Sequence, residues 1–208
     1  MYENRENLLR WLRTLFYIHL TGCLMSALAL ASTVFTFAVG GWYTWVQRFV
    51  SLGIAVCLYL MPGRYRYAGM AKALALLCTL VSLVLFRLLN AYGIQMQGAT
   101  YMRVLNWLSH GTTVLALVAL FLEYTAHAAA APRDRTKWYI FLGCSLVVAV
   151  LSVVSVKLMQ PVFDEMVKEG VYRWIKLWNI GARPLSLAGS IVYLILLHRV
   201  ICAQQEVD

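Results

Sequence analysis

Glu123 is the one acid inside a long apolar stretch of this 208-residue chain, and His127 follows it four positions later, on the same face of a helix. An ionised side chain at the centre of a membrane helix costs ~2.5–3.5 kcal/mol on insertion scales, so such a residue needs a partner or a function. Lys72, His19 and His198 fall at similar depth in other apolar stretches. Glu123 with His127, Lys72 and His19 reads as a structural clasp or as a carboxylate–imidazole path for protons. A second polar group belongs to the opposite membrane side. Asn106, His110 and Thr113 recur at spacings of four and three, hence on one stripe, as do Asn179, Arg183, Ser186 and Ser190. Arg87 with Asn90, and Lys157 with Gln160, stand one turn apart. Arg183 is the deepest cation, and Pro184 after it lacks an amide hydrogen, which frees a carbonyl one turn back to line a cavity. Arg183, Asn179, His110, Asn106 and Arg87 therefore read as a cationic vestibule for an anionic or amphipathic small molecule. The acids Asp164, Glu165 and Glu169 could fold over it. Arg87, Arg103, Lys157 and Lys176 also lie close enough to an interface to reach headgroups.

The elements that must position these residues are six apolar segments: Leu15–Val39, Tyr43–Met61, Ala68–Leu89, Val104–Ala126, Trp138–Met159 and Trp174–Ile201. A spanning helix needs ~20 mostly apolar residues, and each segment is long enough. With 62% hydrophobic and 13% charged residues, the chain carries more apolar surface than a water-soluble core of this size could hide. The expected fold is all-α, a polytopic bundle of six transmembrane helices forming one domain over residues 1–208 with the lipid bilayer as its solvent. Pro62-Gly63 and Pro132 punctuate the second and fourth segments, and Pro161 follows the fifth. Residues 4–13 mix charge with Leu8, Leu9, Trp11 and Leu12, and fit either an interfacial amphipathic turn or the first turns of helix one. Arg5, Arg10 and Arg13 before an apolar run outline a signal peptide, but apolar character continues past Ser32, which favours a retained helix.

The short connections bearing Arg64 and Arg66, and Arg133, Arg135 and Lys137, are the densest in positive charge, which puts both termini in the cytoplasm. Similar phrases open the even-numbered helices: Tyr43 to Phe49, Tyr101 to Trp107 and Tyr172 to Trp178, each behind a glycine. They suggest three tandem helical hairpins, although an aromatic belt also puts Tyr and Trp at helix starts. The proline–acid–base signature of mitochondrial carriers is absent from the odd helices.

Several functions are disfavoured. The net charge of +9 lies at segment ends with no docking surface for nucleic acid. The five cysteines form no C-x-x-C pair and read as packing residues, so neither a metal, a cofactor nor a disulfide framework is expected. No residue reads as catalytic. There is no Asp in a helix core, Glu123 and His127 are misarranged for a metalloprotease, and Ser109 and His110 point about 100° apart. Ala27 and Ala31, four apart on helix one, and Ser145, Ala149 and Ser152 on helix five form small-residue packing surfaces, within the bundle or toward a membrane partner subunit.

In layout the chain resembles the six-helix substrate-capture subunits of vitamin-uptake energy-coupling factor transporters: similar size, both termini inside, and the Ala27–Ala31 pair on helix one. That resemblance implies a substrate-binding membrane subunit. The competing expectation is a non-transporting sensor, assembly factor or regulatory partner.

Overall fold

The computed structural model describes residues 2–34, 42–91, 99–159 and 169–205. Six α-helices account for nearly all of them: α1 (Tyr2–Val34), α2 (Trp42–Leu60), α3 (Arg64–Ala91), α4 (Ala99–Ala130), α5 (Arg135–Met159) and α6 (Glu169–Gln205). All six are long and apolar enough to cross a membrane. The expected all-helical, six-span bundle is what the chain forms. Its apolar side chains extend well outside the core: Leu24, Phe49, Leu77, Val84, Val147 and Ile195 are all exposed. Water would not tolerate so continuous an apolar exterior, and lipid does. These features mark a membrane protein.

Helix limits follow local chemistry. α1 runs unbroken from Tyr2, so residues 4–13 are its first turns and not a separate interfacial element. Gly63, at φ 69°, ends the α2 turn in the left-handed region that glycine takes without strain, and Arg66 N–H closes on the Gly63 carbonyl at 3.2 Å. Pro132 opens a short 3₁₀ turn, Pro132–Asp134, between α4 and α5. Pro184 lies inside α6, which continues through it. Three connections, which include Asp164 and Glu165, fall outside the described residues.

Packing runs around a ring, α1 on α2, α2 on α3, α3 on α4, α4 on α5, α5 on α6 and α6 back on α1, with a further contact between α4 and α6. α2 and α3 approach closest at Gly69, where a Cβ would stand 2.7 Å from the Tyr59 Cα and 2.8 Å from the Ala55 carbonyl oxygen. The core belongs to the half of the bundle that carries both chain ends. Leu12, Leu15, Leu58, Met61, Trp138 and Leu197 are fully buried there. Polar bolts close this end. Asp134 pairs with Lys137 at 2.5 Å and Arg199 at 2.8 Å, Gln204 donates to the Ala130 carbonyl at 2.6 Å, and Arg5 donates to the Gln204 carbonyl. The other half is looser and holds cavities.

Candidate functional site

Glu123 is 3% exposed and stands at the base of the looser half, on α4. Four helices bring polar groups to it. Lys72 Nζ from α3 lies 3.6 Å from Oε2. His19 Nε2 from α1 lies 3.8 Å from Oε1, and His127 Nε2, one turn further along α4, lies 3.9 Å from the same oxygen. Tyr193 from α6 donates its hydroxyl to Oε1 at 2.5 Å. His127 is fully buried and held on both ring nitrogens: Nε2 meets the Tyr193 hydroxyl at 3.1 Å and Nδ1 meets the Tyr65 hydroxyl at 3.0 Å. Trp138 stacks on the imidazole with ring centres 4.6 Å apart, which fixes its plane. His19 packs on the Tyr193 ring at 4.2 Å. His19, Lys72 and Tyr193 each sit near the middle of their span, Arg5–Ser32, Arg64–Leu85 and Gly181–Gln205. Glu123 and His127 lie in the last third of theirs, Arg103–Ala130, so the cluster falls inside four candidate spans and toward the end of one.

A cavity of about 360 Å³ opens directly above Glu123. Lys72, His19, Thr79, Thr112 and Ser51 give it hydrogen-bonding walls, and Ala75, Ala116 and Leu120 give it apolar ones. His19 and Ser51 also line a second cavity of about 340 Å³, between α1, α2 and Ser190 of α6. Ser26 and Gln47 from that cavity line a third, of about 530 Å³, where Arg183 stands with Tyr43, Ser32 and Ser186. The three spaces adjoin one another from Arg183 to Glu123, with His19 and Ser51 between the first and second and Ser26 and Gln47 between the second and third. The carriers of this route are α1, α2 and α6, with α3 and α4 at its base.

The four residues read as a clasp or proton path, Glu123, His127, Lys72 and His19, are therefore brought together. His198 is not among them. It is exposed beside Cys202, with 3.6 Å between its Nε2 and Sγ. The vestibule set is divided. Arg183, His110, Asn106 and Arg87 are all exposed, but Arg183 lines a cavity built with α1 and α2 and the other three line none of the three spaces described above. At 100° per residue His110 lies about 140° around α4 from Glu123, so one helix cannot turn both inward. The face of α4 that lines the route is Thr112, Ala116, Ala119 and Glu123. Asn179 lies in α6, with its side chain outside the described residues, as are the side chains of Asn90, Lys157 and Glu169 and all of Gln160.

Two site residues carried no separate signal in the sequence reading. Tyr193 follows Ser190 by three positions, so the stripe of Arg183, Ser186 and Ser190 continues into it. Tyr65 stands two residues past Gly63 and gave no periodic clue; only the fold of the α2–α3 turn brings it to His127. Among the described residues no group of three His, Cys, Asp or Glu could hold a metal ion, and the cysteines are free. The chain is thus a six-helix apolar bundle with a buried carboxylate that accepts a hydrogen bond from Tyr193, is flanked by Lys72, His19 and His127, and lines a cavity. Comparison with protein-family models, with curated proteins and with solved structures finds no match to any of them.

Proposed function

We propose that the protein is a small-molecule-binding transporter or substrate-capture subunit of the cell membrane, with both termini in the cytoplasm and the Arg183 mouth facing outside. The observation that carries this reading is the chain of cavities from Arg183 to the Glu123–Lys72 pair. Transport sites are typically found near the bilayer midplane, reached by a cleft between helices and lined with a few polar groups. Two permanent cations stand along this route, Arg183 at the mouth and Lys72 at the base, while the hydroxyls of Ser26, Thr79 and Thr112 donate to carbonyls of their own helices. The single carboxylate is already engaged by Tyr193 and Lys72. Such walls suit an anionic head, and Ala75, Ala116 and Leu120 suit a short apolar body. The ligand is an anionic, amphipathic small molecule.

A thermal-shift screen of the detergent-solubilised protein against small anions, vitamins and lipids tests this. A ligand at 100 times its Kd stabilises by ~2.7 kcal/mol. Arg183→Ala and Thr112→Val weaken that stabilisation. A screen without a hit, or hits equal in the wild type and both variants, sinks the reading.

A second reading, a regulatory or assembly partner of another membrane protein, draws on one observation. An apolar groove of about 620 Å³ runs between α5 and α6, floored by Ser145, Ala188 and Gly189 and flanked by Phe141, Val148 and Val192. Small residues of this kind let a foreign helix approach closely.

A further inference from the structure

We propose that Tyr65, His127 and Tyr193 form a proton relay that connects Glu123, at the base of the outer cleft, with a separate cavity at the end of the bundle bearing both termini. That second space, of about 660 Å³, is lined by Tyr65, Thr125, Ala126, Arg64, Arg135 and Tyr139. Between it and the cleft the protein is closed. Tyr65, Glu123, Thr125, His127 and Tyr193 are all buried, with Trp138 and Ala126 packed around them. Yet a chain of hydrogen bonds runs straight through the plug: Tyr65 hydroxyl to His127 Nδ1 at 3.0 Å, His127 Nε2 to Tyr193 hydroxyl at 3.1 Å, Tyr193 hydroxyl to Glu123 Oε1 at 2.5 Å. All three distances are within hydrogen-bond range.

The polarity of the chain follows from its last member. The Tyr193 hydroxyl spends its hydrogen on the carboxylate, so its oxygen is the acceptor for His127, and Nε2 is the protonated nitrogen. Nδ1 is then the acceptor for the Tyr65 hydroxyl. Every donor points toward Glu123. A proton arriving from water at the Tyr65 oxygen releases the Tyr65 proton to Nδ1. The Nε2 proton passes to the Tyr193 oxygen, and the Tyr193 proton passes to Oε1. Each O–H or N–H bond formed replaces one broken, the three relay groups stay neutral, and the net change is one proton on Glu123. His127 is left as the Nδ1 tautomer, so each further proton requires the imidazole to turn over or exchange tautomer as well as the hydroxyls to reorient. The groups that face Glu123 are Lys72 and Tyr65 from α3, His19 from α1, His127 and Tyr124 from α4, and Tyr193 from α6, with Cys57 of α2 close behind. Lys72 is the partner released when Glu123 is neutralised, and it lines the cleft. Carboxylate–imidazole chains of this kind carry protons in pumps and transporters. The relay stands whether or not a ligand uses the cleft.

The test uses the full chain in potassium-loaded phosphatidylcholine–phosphatidylglycerol vesicles with a trapped pH dye. Valinomycin makes the interior negative and draws protons inward. Wild-type vesicles are expected to acidify at least about tenfold faster than protein-free ones, with Tyr65→Phe and Tyr193→Phe each losing at least about tenfold of that rate, the equivalent of ~1.4 kcal/mol in the barrier. Tyr67→Phe, an exposed neighbour, keeps the wild-type rate. Tyr65→Phe is the decisive variant if Tyr193→Phe does not fold, because Tyr65 touches neither Glu123 nor the cleft. Wild-type flux no faster than that of Glu123→Gln, or equal flux in Tyr65→Phe and wild type, overturns the relay. Ligand stabilisation measured on the same Tyr65→Phe protein separates the two proposals: retained stabilisation with lost flux supports both, and lost stabilisation with retained flux overturns the relay.

Discussion

Glu123 is held by contacts of unequal kind, and their removal has unequal consequences. Among the described residues Lys72 is the only permanent cation against it, at 3.6 Å and about a quarter exposed. Removing one partner of a buried ion pair leaves the other charge uncompensated, which typically costs 3–5 kcal/mol. Lys72→Met should therefore destabilise the protein by about 3 kcal/mol, toward the lower end because cleft water reaches the ammonium. Adding Glu123→Gln to that variant should recover most of the loss, since the unpaired charge is then gone. Unfolding of the single and double variants in mixed micelles checks this. Additive losses would mean that the two residues do not act as a pair. Four of the six central groups, Glu123, His127, Lys72 and His19, are legible by rarity alone, because ionisable residues in apolar stretches stand out whatever the fold. Tyr65 and Tyr193 are not, because a tyrosine in an apolar stretch is ordinary and only the fold gives it His127 as a partner.

At the scale of elements, α2 and α3 come close together at Gly69. A Cβ at Gly69 meets the backbone of Tyr59 and Ala55, which cannot rotate away as a side chain would. Overpacking by a methyl group costs about 1–3 kcal/mol where side chains can adjust, so Gly69→Ala should cost at least that and shift α3 away from α2. Gly111, in α4, has nothing within 4 Å of its would-be Cβ. Gly111→Ala should be neutral or stabilise by about 0.5–1 kcal/mol through helix propensity. Thermal unfolding of the two variants side by side separates these outcomes, and equal midpoints would argue against the close approach. The helices themselves were legible in the sequence to within a few residues at most ends, since apolar length and Pro-Gly punctuation are local properties. The exceptions extend the helices: α1, α4 and α6 each continue past their apolar stretch through charged or polar residues, which can form helix as readily in water as apolar ones do in lipid.

For the whole molecule, the buried core and polar bolts toward one end and the adjoining cavities at Arg183 and Glu123 toward the other give the bundle a direction. The arginines at the bolted end include Arg66 over the Tyr59 ring at 5.1 Å and Arg135 over Tyr139 at 5.5 Å, and in the proposed orientation they face the cytoplasm. Gln205→Cys and Arg133→Cys should therefore label with a membrane-impermeant thiol reagent only from the cytoplasmic side, and Trp42→Cys only from outside. The reverse pattern would invert the direction of the cleft and of the relay. The sequence by itself determined that six helices form and which rare charges they must accommodate, because apolar length and the cost of a buried charge are set along one strand of chain. Only the tertiary structure decided which stripes meet. It turned Arg183 toward α1 and α2, left His110 and Asn106 on the outside, and closed four helices around Glu123, since the rotation of each helix about its axis is chosen by its neighbours' side chains and by nothing it carries alone.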